Sequence, residues 1–336
     1  MNLKKGIRLF FVLLVITITL LLAITTSRET FSALKSFQIK FLLLSFLLWF
    51  IYVLFDALRV HTIIHGVTGK FLPLSISFDI NLMGSFLAAI TPFQTGGFPI
   101  QIYLLHKNGV SVGKGTLIIF LRGVFFGLFF LTTLPFILPL FKLSNEFFTL
   151  FLYSLIVYSV VIILFIIFII KPVWLKLALF KFAKIVKIRK IKEGILRLSD
   201  EFYDMREKFI IFARRKIFHT LIAYVFTDIA FLSCYSVAPL ILKGLGINAN
   251  FAHTFILQLF IVLITFFFPT PGSTGAAEGG FALLFATIAP KYILGIYSIL
   301  WRFFTFYLSA IIGGILTLKV FHIGEKEIEG KINSQS

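Results

Sequence analysis

Three charged side chains stand where a membrane makes charge expensive. Arg122 sits in Phe120-Leu121-Arg122-Gly123 and Arg302 in Leu300-Trp301-Arg302-Phe303, each inside a long apolar run. A guanidinium at membrane depth costs at least about 2.5–3.5 kcal/mol on insertion scales, so such a residue faces a cavity or a partner. Its planar fork of donors never deprotonates and matches a phosphate. Glu278, in Gly275-Ala276-Ala277-Glu278-Gly279-Gly280, is the carboxylate that stands beside small residues, which admit close approach by a backbone or a headgroup. Two chemistries fit this set equally: a grip on an anionic headgroup, with Gln101 and Gln94 as weaker polar partners, or an internal ion pair between Glu278 and an arginine. A carboxylate near a helix N-terminus is also favoured by the helix dipole alone.

What positions these groups is a pair of near-identical breaks. Thr91-Pro92-Phe93-Gln94-Thr95-Gly96-Gly97 and Thr270-Pro271-Gly272-Ser273-Thr274-Gly275-Ala276 lie 179 residues apart and share Thr, Pro, Thr and Gly at matching positions. The breaking residues are Thr91, Pro92, Thr95, Gly96 and Gly97 in the first copy, and Thr270, Pro271, Gly272, Thr274 and Gly275 in the second. Pro and Gly interrupt a helix, and their free backbone N–H groups offer an anion site. Paired breaks in corresponding halves are the best sequence pointer to a transporter's site. Arg122 and Arg302 are 180 residues apart, one off the repeat, and read as near-equivalent.

The surrounding chain is apolar throughout. Of 336 residues, 59% are hydrophobic and 45 are Phe, and the mean hydropathy is +1.01, far above soluble domains. The fold class is therefore an all-α polytopic membrane protein. The single cysteine, Cys234, excludes an intrachain disulfide and a cysteine metal cluster. The net charge of +18 lies mostly between apolar runs, where it sets topology and meets anionic lipid rather than nucleic acid.

Read in order, residues 1–170 form a first half. It holds a retained first helix over 1–27, a span over 39–58, a basic loop with Arg59, His61, His65 and Lys70, a hairpin over 75–108, and spans over 116–140 and 147–170. Residues 171–216 carry fourteen Lys/Arg against five Asp/Glu, which makes them cytoplasmic. Ile185, Ile188, Ile191, Ile195 and Leu198 recur there at helical spacing, as in a membrane-surface helix or a solvated linker. The second half, 217–320, repeats a span, a hairpin over 251–289 and a span, followed by a tail over 321–336. The hairpin limbs are too short to cross about 30 Å of hydrocarbon. With insert and tail on one side, the halves are inverted, each hairpin is re-entrant, and about six helices span fully. Both termini are then cytoplasmic.

Other groups carry less. His61 and His65 share a helical spacing but have no third ligand, so no metal and no other cofactor is expected. Asp56, Asp79 and Asp228 sit near the ends of apolar runs and read as caps or surface ion pairs. The P-loop string is absent, so transport would run downhill or on an ion gradient.

The stretch from Thr91 to Leu105, the later Arg122, and Pro269 to Gly275 with Glu278 resemble the two signatures of the lysylphosphatidylglycerol synthase transmembrane family, also described as flippase-like. The resemblance covers nearly the whole chain. It departs from the family's second signature, Pro-Gly-Gly-x-Gly-x-x-Glu, at Ser273 and Thr274. Full-length synthases add a soluble domain that performs the aminoacyl transfer, whereas this sequence stops at Ser336. The resemblance therefore implies lipid binding or translocation in the cytoplasmic membrane, of an anionic, aminoacylated or polyprenyl-phosphate-linked lipid, rather than synthase activity. The alternatives are an intramembrane headgroup transferase using Glu278 and an accessory subunit beside a separate synthase.

Overall fold

A computed structural model describes residues 3–137, 145–170, 204–265 and 267–333; the expected surface helix around Ile185–Leu198 lies outside these residues. Every regular element among them is helical: α1 Leu3–Thr25, α2 Arg28–Lys35, α3 Ile39–Thr68, α4 Leu74–Ala89, α5 Gly97–Lys107, α6 Val112–Ile137 and α7 Asn145–Ile170. These are followed by α8 over 204–215, α9 Ile217–Tyr235, α10 Val237–Gly244, α11 Phe251–Thr265, α12 Ala276–Phe285, α13 Lys291–Arg302, a π-turn Phe303–Tyr307, and α14 Leu308–Asn333. In hydrocarbon every backbone polar group must be satisfied by the protein itself, and a helix does so within one segment.

Among the described residues five stretches are long and apolar enough to cross a membrane: Lys5–Thr25, Ile39–Thr68, Val112–Thr133, Ile217–Gly244 and Lys291–Val320. The sixth expected span falls on α7. The protein is a multi-pass membrane protein. The helices flanking the two breaks are shorter, with 16 and 11 residues for α4 and α5, and 15 and 10 for α11 and α12. At about 1.5 Å per residue none reaches the roughly 30 Å of a hydrocarbon core.

One expectation is corrected here. The basic loop after residue 58 is helix: α3 runs on to Thr68 and carries Arg59, His61 and His65. Neither Gly nor Pro interrupts Arg59 to His65, and an acid on the same helix neutralises Arg59, so nothing stops the helix before Thr68.

The chain divides into two compact units. The first comprises Met1–Val53, Phe78–Ile100 and Leu232–Ser336, and the second Leu54–Ser77 with Gln101–Phe231. In the first unit the core is an aromatic stack in which Phe281 lies 4.3 Å from Trp301 and 4.0 Å from Phe285, both nearly parallel. Gly313 of α14 rests on the backbone of α4 at Leu82, where any side chain would clash. Such small-residue crossings let membrane helices pack by van der Waals contact. The second unit packs Phe126 and Phe129 against Phe231, with Phe130 edge-on to Phe126, and the Tyr158 hydroxyl donates to the Gly123 carbonyl at 2.8 Å.

Candidate functional site

The two breaks fold into the same loop. In the first copy Gln94 N–H donates to the Thr91 carbonyl at 3.2 Å and Thr95 N–H to Pro92 at 3.2 Å. In the second copy Ser273 donates to Thr270 at 2.9 Å and Thr274 to Pro271 at 3.1 Å, the same bonds 179 residues later. Two successive residues adopt positive φ in each: Phe93 at 52° and Gln94 at 57°, Gly272 at 59° and Ser273 at 57°. The next helix then starts at Gly97 and at Ala276.

Both loops belong to the first unit, and they touch through their own equivalent residues. Pro92 and Pro271 form an antiparallel backbone bridge. The Gln94 amide donates to the Ser273 hydroxyl at 3.1 Å. Ser273 in turn donates to the Thr265 carbonyl at 2.5 Å.

Behind the second loop lies a closed ionic cluster. The Glu278 carboxylate accepts the Gly275 N–H at 2.7 Å and the Tyr307 hydroxyl at 2.5 Å, and stands 3.3 Å from Arg302 Nε. Arg302 also donates to the Gly272 carbonyl, and its guanidinium lies 4.0 Å over the Phe306 ring. Glu278 has no exposed side-chain surface and Arg302 only 6%. The π-turn explains how Arg302 and Tyr307 both reach one acid. In an α-helix, at about 100° per residue, positions five apart lie about 140° apart around the axis. The wider i→i+5 turn over Phe303–Tyr307 narrows that angle and lets both side chains reach Glu278. Tyr307 was invisible to helical spacing for that reason. Glu278 thus has three partners and no exposed side-chain surface.

The second unit holds a different cluster. Asp56, nearly fully buried, accepts from Arg59 on its own helix and from Arg122 of α6 at 2.5 Å. Arg59 also lies over the Phe231 ring at 5.2 Å. One carboxylate thus meets two guanidiniums, and the Arg122 side chain keeps 18% of its surface exposed. Asp56 is a buried bridging acid, which corrects its reading as a cap or surface pair. Its signal in the sequence was Arg59 three residues on, one turn along the same face. Gln101 is buried at the first turns of α5.

Arg122 and Arg302 are therefore not counterparts. The residue 179 after Arg122 is Trp301, which donates to Gln258 at 2.6 Å, and Gln258 in turn donates to the Tyr235 carbonyl at 2.5 Å. A one-residue offset turns a helical side chain by about 100°. The two arginines consequently find different acids in different units.

Among the described residues no group of three His, Cys, Asp or Glu side chains is placed to hold a metal ion. His65 and His219 do meet, with ring nitrogens 2.8 Å apart and Phe71 stacked on His65.

These features define an all-helical, multi-pass membrane protein built around a duplicated broken loop. The model of the lysylphosphatidylglycerol synthase TM region matches residues 7–313, and the chain belongs to that family. It is also similar to a UPF0104 membrane protein of Archaeoglobus fulgidus, 27% identical over 299 residues, which are 87% of this chain and 90% of that protein.

Proposed function

We propose that the protein moves a lipid with an anionic, aminoacylated or polyprenyl-phosphate-linked headgroup between the leaflets of the cytoplasmic membrane, with both termini on the cytoplasmic side. One observation carries this reading: two loops of equal backbone, each flanked by helices too short to cross, meet through their own equivalent residues. Contact between equivalent positions is what a twofold axis produces. An axis in the membrane plane makes the halves inverted and each loop with its flanking helices a re-entrant hairpin. In transporters of that plan the substrate site lies near the midplane between the repeats.

Arg122 is the headgroup ligand favoured by the contacts, since it shares its only described acid with Arg59 and keeps an open edge. Arg302 and Glu278 neutralise each other and hold the second loop in shape, while Gln94 links the loops and Gln101 lines the first hairpin. The basic insert over 171–216, with its fourteen Lys/Arg, would meet anionic headgroups of the cytoplasmic leaflet.

The test is lipid scrambling in reconstituted vesicles, with fluorescent phosphatidylglycerol, lysylphosphatidylglycerol and phosphatidylcholine bleached from outside. Headgroup-dependent exchange that falls at least ten-fold in Arg122→Gln supports the proposal. Exchange at the protein-free level for all three lipids, or equal exchange of all three, overturns it.

A further inference from the structure

The two loops share a fold but not their anchorage. The second is held by Arg302, which reaches the Gly272 carbonyl from 30 residues away, and by Glu278, which caps the Gly275 N–H three residues before it and is itself fixed by Tyr307. The residues 179 positions earlier are Gly123, Pro99 and Leu128, none of which can make those bonds. Within the first loop the side-chain bonds are local: Thr91 donates to Leu87 at 2.6 Å and accepts from Gly96 N–H at 2.8 Å, and Thr95 donates to Pro92 at 2.9 Å. Among the described residues, its side-chain hydrogen bond beyond the adjoining helix is Gln94 to Ser273, which is the contact with the other loop.

Burial and backbone point the same way. Ser273, Thr274 and Glu278 are buried, whereas Phe93 is 49% and Phe98 59% exposed. Gly272 takes its positive φ without a side chain to strain it, and it is pressed against Ala89 and the Phe306 ring. Phe93 takes the same φ with a bulky side chain, which costs roughly 1–2 kcal/mol. The second loop is pinned, and the first is strained and loosely held.

We infer that the pair works as a one-sided gate, in which the loop at 91–96 withdraws while the loop at 270–275 stays as a fixed post. Withdrawal breaks the Pro92–Pro271 bridge and frees the Ser273 hydroxyl from Gln94. The gating role rests on the transport reading, but the one-sided motion does not and is measured without any lipid substrate.

The experiment is amide hydrogen exchange by mass spectrometry on the full-length protein in nanodiscs, following segments 91–97 and 270–276. Because each loop carries the same pair of internal backbone bonds, a difference reports opening. The first segment should exchange at least ten-fold faster. Arg302→Ala should speed 270–276 by ten-fold or more and leave 91–97 unchanged, and Gln94→Ala should do the reverse. Should Arg302→Ala fail to fold, Tyr307→Phe makes the milder version, with a several-fold rise confined to 270–276. Equal protection of the two segments in the unaltered protein, or a variant that speeds both together, overturns the gate.

Discussion

The two ionic clusters handle the same problem, a guanidinium within apolar helices, in opposite ways. Around Glu278 one acid meets one arginine, and a tyrosine hydroxyl, a backbone N–H and an aromatic face complete the shell. Around Asp56 one acid meets two arginines, and one of them stays partly open. The first arrangement is balanced in charge and, on the proposed reading, serves as a fastener. The second carries a formal charge of +1 over its three side chains, so an arriving anion would improve its balance. A buried pair whose partner is removed leaves an uncompensated charge, which costs far more than the pair itself contributes.

That contrast can be broken most directly at Glu278. Glu278→Ala should destabilise the protein by about 3–5 kcal/mol, because Arg302 is left buried without its acid. Chemical unfolding in mixed micelles reads this, and the double variant Glu278→Gln/Arg302→Met should recover most of it. A double variant no better than the single one would mean that the fastener holds by packing, not by charge.

Asp56→Asn comes next, at about 2–3 kcal/mol, since an amide still accepts hydrogen bonds but leaves two cations side by side. The same variant should bind phosphatidylglycerol more tightly than wild type in native mass spectrometry. Weaker retention would show that Asp56, not the excess charge, recruits the lipid.

Tyr307→Phe removes one bond to a charged acceptor and should cost about 1.5 kcal/mol. Its effect should vanish in a Glu278→Gln background, as a double-mutant cycle would reveal. Additive effects would place the hydroxyl outside the cluster.

The smallest effect on stability belongs to Arg122→Gln, under about 1 kcal/mol, because Asp56 keeps Arg59 and the removed group was already partly open. Thermal midpoints in nanodiscs should hardly move while lipid retention falls. A large loss of stability would make Arg122 a fastener like Arg302 and erase the contrast.

The breaks were legible because their cause is local. Pro92 and Pro271 each stand with Gly a few residues on, a cluster that breaks an apolar run, and the 179-residue period is visible in the letters. The sequence also exposed Glu278 and Arg302 as possible partners, by the rarity of charge in apolar runs. It hid Asp56, which lies 66 residues before Arg122 in what reads as the end of a span. It hid Tyr307 as well, which joins Arg302 only across a π-turn. The trio Asp56, Arg59 and Arg122 needed α3 to continue past Leu58, and a hydropathy reading stops where charge begins.

By itself, the sequence determined that this chain is helical and membrane-embedded and that it carries the same break twice. In hydrocarbon a helix satisfies its backbone polar groups within one segment, and Pro with nearby Gly marks where such a segment breaks. Only the tertiary structure decided which acid each arginine meets and which loop is pinned. Those outcomes depend on the angle at which a side chain leaves its helix, where one residue is worth about 100°, and on helices that approach each other across long stretches of chain.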